Sequence, residues 1–81
     1  MSLTQAIESA KRLINEERSM KPQSKGDAIQ GYRRLDDSKN TYLNMVQNTN
    51  DESMKNEYRA AYDMLREALD EHYNNYGHMM E

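Results

Sequence analysis

The chain has 81 residues, a formal net charge of −3 and no cysteine, tryptophan or phenylalanine. The absence of cysteine excludes disulfides and thiolate metal sites, and no apolar run approaches the roughly 20 residues of a membrane span. Because the start of the sequence also lacks the apolar core of a signal peptide, we expect one soluble, cytoplasmic domain.

Aliphatic residues are scarce in this chain. Leucine, isoleucine and valine make up ten of the 81 residues, while seven methionines and six tyrosines add further apolar area. A domain of this size buries only roughly 60% of its unfolded surface, so a thin core leaves little stability. Methionine and tyrosine are enriched at protein interfaces, and we therefore expect a homo-oligomer. The alternative is an adaptable, methionine-rich core within one protomer.

The first segment has apolar residues at the spacing of one helical face. The lysine before Pro22 is disfavoured in helical geometry, so the helix should end near Ser19. The pattern predicts a helix over about residues 3–19, with an apolar stripe of Leu3, Ala6, Ile7, Ala10, Leu13 and Ile14.

A linker over residues 20–26 contains Pro22, Ser24 and Gly26. Asp27 has the character of an N-cap, and the apolar residues that follow predict a second helix over about residues 28–48. Gly31 lies inside that helix, where it costs about 1 kcal/mol relative to alanine. It indicates either a later helix start or the close approach of another backbone.

The dense turn signal at residues 48–51 separates the second helix from a third. A clean helical row predicts helix 3 over about residues 51–76, with Gly77 as the residue that ends it. No segment alternates as a strand does. The predicted fold class is all-α: a short N-terminal helix followed by a long antiparallel helical hairpin, in one domain over residues 1–81.

Catalytic and metal-binding patterns are weak throughout. His72 and His78 are six positions apart, which is not the spacing of two ligands on one helical turn. The paired acids are consecutive, so their side chains diverge by about 100° on a helix. No phosphate-binding glycine motif occurs. We predict no catalytic residues, no metal site and no cofactor, and we expect that the protein is not an enzyme.

Charge is distributed unevenly along the chain. Residues 1–35 carry a net charge of +3 and residues 36–81 a net charge of −6. Guanidinium and ammonium groups bind phosphate, and a phenol ring stacks on a base. The basic excess around the linker, with one embedded tyrosine, therefore predicts a nucleotide-binding site made of Lys21, Lys25, Tyr32, Arg33, Arg34 and Lys39.

An alternative interpretation of these residues is an ordinary charged surface, with Tyr32 in the core. Duplex nucleic acid is not expected as a partner, because the overall charge is negative and the chain has no long basic face.

A set of short motifs over about residues 21–70 forms one pattern. Its residues are Pro22, Gly26, Asp27, Tyr32, Leu35, Lys39, Asn48, Thr49, Ala60, Ala61 and Ala68. This pattern resembles that of the phage-encoded sponges that disarm CBASS immunity, a family that shares a helical-hairpin domain with certain anti-Thoeris sponges. The chain differs from the family at Ala28 and Gly31, and it lacks the aromatic residue usually found at the end of the first helix.

The resemblance implies a function as well as a fold. It implies a small all-α protomer in a compact symmetric homo-oligomer, with a hexamer as one candidate. Pockets between protomers would hold cyclic di- or trinucleotides and sequester these immune messengers in the host bacterial cytoplasm, without cleavage. Of the predicted contacts, Tyr32 and Lys39 rest partly on the family pattern, whereas the other four rest on local composition.

A second hypothesis uses the acidic half of the chain. The net charge of −6 over residues 36–81 would suit a small helical interaction module that binds and inhibits a host or phage protein through a basic surface. A structural or assembly role without a ligand is a third possibility.

Overall fold

The structure is a computed structural model that describes residues 5–81, of which 88% are helical. Its elements are α1 (Gln5–Ser19), α2 (Lys25–Asn48) and α3 (Glu52–Met80). No strand occurs within residues 5–81. The all-α prediction with three helices is confirmed. Positions 3 and 4 of the predicted first helix lie outside the described residues.

Helix α2 begins three residues earlier than predicted because its N-cap is Ser24, not Asp27. The Ser24 hydroxyl accepts a hydrogen bond from the backbone N–H of Asp27 at 3.2 Å. The Asp27 carboxylate in turn accepts from the backbone N–H of Gln23 at 3.4 Å. Two exposed donors at the helix start are therefore satisfied by side chains in the manner of a capping box.

Helix α3 begins where the turn signal predicted and ends later. The Asp51 carboxylate caps it by accepting from the backbone N–H groups of Ser53 and Met54, at 2.9 and 3.2 Å. We expected Gly77 to stop the helix in a left-handed conformation, but no glycine in residues 5–81 has a positive φ. The Tyr73 ring lies against Gly77, and α3 continues for another three residues to Met80.

Helices α2 and α3 form the hairpin, and α1 packs mainly against α3. Leu35 and Leu65 are the largest fully buried side chains within residues 5–81. Alanines supply most of the rest of the core, so the helices approach closely around little aliphatic volume. The buried cluster consists of Ala6, Ala10, Ile14, Leu35, Ala61, Leu65, Ala68 and Leu69.

Several larger apolar side chains stay outside this core. Met20, Met45 and Tyr73 are exposed, and Ile29 and Leu43 are only half-buried. The thin core expected from the composition is present.

Within residues 5–81, none of the helices combines the length and apolar character needed to cross a lipid bilayer.

Candidate functional site

A concave surface forms where α1 ends, the linker turns and α2 begins. We call it the linker concavity. It has a volume of about 280 Å³ and combines two cations, two carboxylates, one amide and two apolar side chains. Its lining residues are Glu17, Met20, Lys21, Pro22, Asp27, Gln30 and Arg34.

An ion pair between α1 and α2 forms one wall of the linker concavity. The Glu17 side chain is 6% exposed and the Arg34 side chain 45%. Arg34 donates from Nε to Glu17 Oε2 at 2.5 Å and from Nη2 to Glu17 Oε1 at 3.2 Å. This two-point contact fixes the plane of the guanidinium group as well as its position.

The ion pair leaves Arg34 charged and partly available. The hydrogen bond to Glu17 raises the pKa of Arg34, and the charge of Glu17 acts in the same direction. A guanidinium group carries five N–H donors. Glu17 takes two of them, so about three remain for another acceptor on the half-exposed side of Arg34.

Gly31 makes room for this arrangement. A Cβ atom at Gly31 would lie 2.8 Å from His72 Cε1 and 3.0 Å from Glu17 Oε1. Gly31 therefore lies well inside α2, and the groups that approach it are side chains from α3 and α1. The sequence alternatives of a late helix start and a close backbone are both replaced by this finding.

His72 closes the same region from α3. It is 6% exposed, and its Nε2 lies 2.8 Å from the Ala28 carbonyl oxygen. Because a carbonyl oxygen accepts, Nε2 carries the proton in this contact. The imidazole ring also packs against Tyr76, with ring centroids 5.0 Å apart, and lies 6.3 Å from the Tyr32 ring.

The six predicted binding residues do not form one cluster within the protomer. Lys21 and Arg34 line the linker concavity. Arg33 is exposed, and its side chain leaves α2 about 100° away from that of its neighbour Arg34. Lys25 is also exposed, and neither Lys25 nor Arg33 forms an ion pair within residues 5–81.

The other two predicted residues, Tyr32 and Lys39, make contacts within the protomer. Tyr32 is half-buried and packs against the core. Lys39 Nζ lies 3.0 Å from Asp36 Oδ1 on the same helix. Sequence reasoning missed the ion pair between Glu17 and Arg34. The residue that could have pointed to it is Gly31, because a glycine is unfavourable inside a helix unless another group needs the space.

The formal charges of the linker concavity balance. Lys21 and Arg34 are opposed by Glu17 and Asp27. The concavity therefore offers directional N–H donors, an amide at Gln30 and apolar contact, in a field that is not strongly positive. An acceptor with a defined geometry fits this arrangement better than a diffuse anion does.

The comparisons with known proteins add no relative to these observations. No family model, no curated protein and no solved structure matches the chain.

Proposed function

We propose that the protein is a non-enzymatic sponge that binds a cyclic di- or trinucleotide at the linker concavity and sequesters it without converting it. The observation that carries the proposal is the half-exposed Arg34 guanidinium, held by the buried carboxylate of Glu17 with about three N–H donors unused. In this role the protein would act as a phage-encoded inhibitor of immune signalling in the bacterial cytoplasm, as the sequence resemblance implies.

Preorganisation supports this assignment. An arginine on a flexible surface loses side-chain freedom when it binds phosphate, which weakens binding. Arg34 has already lost much of that freedom to Glu17. A phosphate oxygen pair would meet a fixed guanidinium plane, Lys21 would add charge, and Met20 and Pro22 would supply apolar contact for a base.

The balanced charge of the concavity supports association of copies. One protomer alone offers a phosphate no net positive charge there, and Lys25 and Arg33 lie exposed outside it. In the proposed symmetric homo-oligomer, these two cations of a neighbouring copy complete the pocket. The large apolar side chains outside the core would then be covered by the same contacts.

Calorimetry with a panel of cyclic di- and trinucleotides tests the proposal. At least one should bind stoichiometrically with micromolar or tighter affinity. Arg34→Lys keeps the charge but loses the planar two-point geometry, so affinity should fall at least about tenfold. The matched control is Arg59→Lys, an exposed position on α3, and its affinity should equal that of the unaltered protein.

Two results would overturn the proposal. One is the absence of heat with every cyclic oligonucleotide at concentrations well above micromolar. The other is an Arg34→Lys variant that binds as well as the unaltered protein. Light scattering on the same samples tests the oligomer, since a strictly monomeric species would remove the pocket between copies.

An exposed acidic face on α3 favours a second candidate, a module that binds a basic protein surface. Asp63, Glu67 and Asp70 are exposed at helical spacing and form no ion pair within residues 5–81. Arg66, a neighbour that helical spacing would allow to pair with Asp70, instead lies over the Tyr62 ring, 5.8 Å from its centroid. These three carboxylates are therefore left to interact with an external cation.

A comparative pull-down tests this second candidate. A stoichiometric protein from bacterial lysate should be retained by the unaltered chain and lost with the triple variant Asp63→Asn, Glu67→Gln and Asp70→Asn. Equal retention by both chains would exclude the acidic face as the contact.

A further inference from the structure

A second cavity lies at the opposite end of α1 from the linker concavity. It has a volume of about 240 Å³ and is mostly apolar. We call it the Glu57 cavity, after the one formally charged side chain among its described lining residues. Its lining residues are Gln5, Ala6, Ser9, Tyr42, Met45, Met54, Glu57 and Tyr58.

Glu57 is buried, and no cation within residues 5–81 pairs with it. It is 9% exposed, and its hydrogen bond within residues 5–81 is a long one of 3.4 Å, accepted by Oε2 from the backbone N–H of Ala6. The ion pairs found within residues 5–81 are formed by other carboxylates, those of Glu17, Asp36 and Glu71. A buried carboxylate is costly unless it is paired with a cation or fully hydrogen-bonded.

The carboxylate of Glu57 forms part of the cavity wall. Oε2 accepts the long hydrogen bond from Ala6, and Oε1 has no hydrogen-bond partner within residues 5–81. A ligand that enters would meet a strong acceptor at an otherwise apolar wall.

The walls around Glu57 suit a cation. The Tyr42 and Tyr58 rings have centroids 6.3 Å apart and planes tilted by 32°. The Tyr42 hydroxyl donates to the Ala6 carbonyl oxygen at 3.3 Å, which fixes that ring. Aromatic faces attract organic cations, and the soft thioethers of Met45 and Met54 adapt to alkyl groups.

We propose that the Glu57 cavity binds small organic ammonium ions. The ammonium group donates to the Glu57 carboxylate, and its alkyl carbons contact the tyrosine rings and the two methionines. The described lining does not suit a metal ion. Glu57 is the one carboxylate in it, and residues 5–81 contain no group of three or more histidine, aspartate or glutamate ligands. The inference is independent of the linker concavity and of the function proposed for it.

Nuclear magnetic resonance titration of the full chain with n-butylammonium chloride tests this site. Saturable shifts should appear at the Ala6 amide and at the Tyr42 and Tyr58 rings, with millimolar affinity. n-Butanol, a neutral molecule of the same shape, should bind at least about tenfold more weakly. Sodium chloride at matched concentration controls for ionic strength.

Substitutions test whether the charge of Glu57 and the ring of Tyr58 bind the ammonium ion. Glu57→Gln keeps an acceptor for the Ala6 N–H and removes the charge, so butylammonium binding should weaken at least about tenfold. Glu16→Gln, an exposed position on α1, should leave binding unchanged. Tyr58→Leu should weaken it several-fold, because one aromatic wall is lost.

The proposal is overturned by any of three results: no saturable shift with butylammonium, equal affinity for butanol, or unchanged affinity in Glu57→Gln. If Glu57→Gln does not fold, the comparison of butylammonium with butanol on the unaltered protein still decides the question. An equal effect of sodium chloride would show a general response to salt and would also overturn the site.

Discussion

Glu17 and Glu57 are buried to nearly the same extent at opposite ends of α1, but they differ in what balances their charge. Glu17 has the Arg34 guanidinium in two-point contact. Glu57 has one long hydrogen bond from the Ala6 backbone and no cation within residues 5–81. The same residue type at similar depth therefore orients an arginine at one end and faces an open cavity at the other.

This difference shows why burial alone does not assign a role to an acid. At the linker end the carboxylate is balanced inside the chain, and its effect passes to Arg34, which keeps donors for a phosphate. At the other end no cation within residues 5–81 pairs with the carboxylate. The first site is therefore proposed for anions and the second for cations.

The largest expected effect on stability is at Gly31, which leaves room for Glu17 and His72 beside the linker concavity. In Gly31→Ala the new methyl group would overlap His72 Cε1 at 2.8 Å and crowd Glu17 Oε1 at 3.0 Å. Neither side chain can move freely, since one is bound to Ala28 and the other to Arg34. We expect a loss of about 3 kcal/mol in the free energy of unfolding, despite the better helix propensity of alanine. Urea denaturation measures it.

Gly26→Ala is the matched control for that substitution. Gly26 lies in the first turn of α2, and a Cβ there would meet nothing closer than the Ser24 hydroxyl at 3.9 Å. Its stability should be unchanged or slightly increased. A Gly31→Ala protein as stable as the Gly26→Ala protein would contradict the close approach on which the linker end depends.

A smaller effect is expected when the cation of the linker end is removed. Arg34→Ala leaves the carboxylate of Glu17 buried and uncompensated, which should cost about 2 kcal/mol after allowance for the exposure of Arg34. Arg33→Ala, its exposed neighbour without an ion pair in the described residues, should change stability by less than about 0.5 kcal/mol. Thermal unfolding of both variants measures the two losses of stability. Equal losses would show that the Glu17–Arg34 ion pair stabilises the fold no more than an exposed arginine does.

The pH dependence of the stability that Arg34 contributes follows from its contact with Glu17. The hydrogen bond to Glu17 raises the pKa of Arg34. A raised pKa on a cation gives stability that is present below its ordinary value and lost only as the pH rises through the higher one. The contribution of Arg34 should therefore stay constant from neutral pH to strong alkali.

The sequence was sufficient for the fold because the apolar residues repeat at helical spacing over three long segments. Helix limits were less certain, since they depend on local hydrogen bonds. Ser24 rather than Asp27 caps α2, and Gly77 continues α3. These choices follow from competition between neighbouring side chains, which periodicity does not resolve.

The candidate site was harder to predict than the fold. Neighbours in sequence such as Arg33 and Arg34 were grouped by charge, but a helix turns them about 100° apart. The contact between Glu17 and Arg34 spans 17 residues and depends on how α1 packs on α2. Composition cannot show such a contact. Gly31 indicated either a later helix start or the close approach of another backbone, whereas the groups nearest to it are side chains.

Glu57→Gln compared with Glu17→Gln tests the central contrast most directly. Both substitutions remove one buried charge and keep the side-chain shape. Glu17→Gln removes the partner of Arg34, whereas Glu57→Gln removes a charge with no cation in the described residues. The free energy of unfolding should therefore fall by about 1 kcal/mol more in Glu17→Gln. An equal or greater loss in Glu57→Gln would show that the charge of Glu57 is already balanced within the chain.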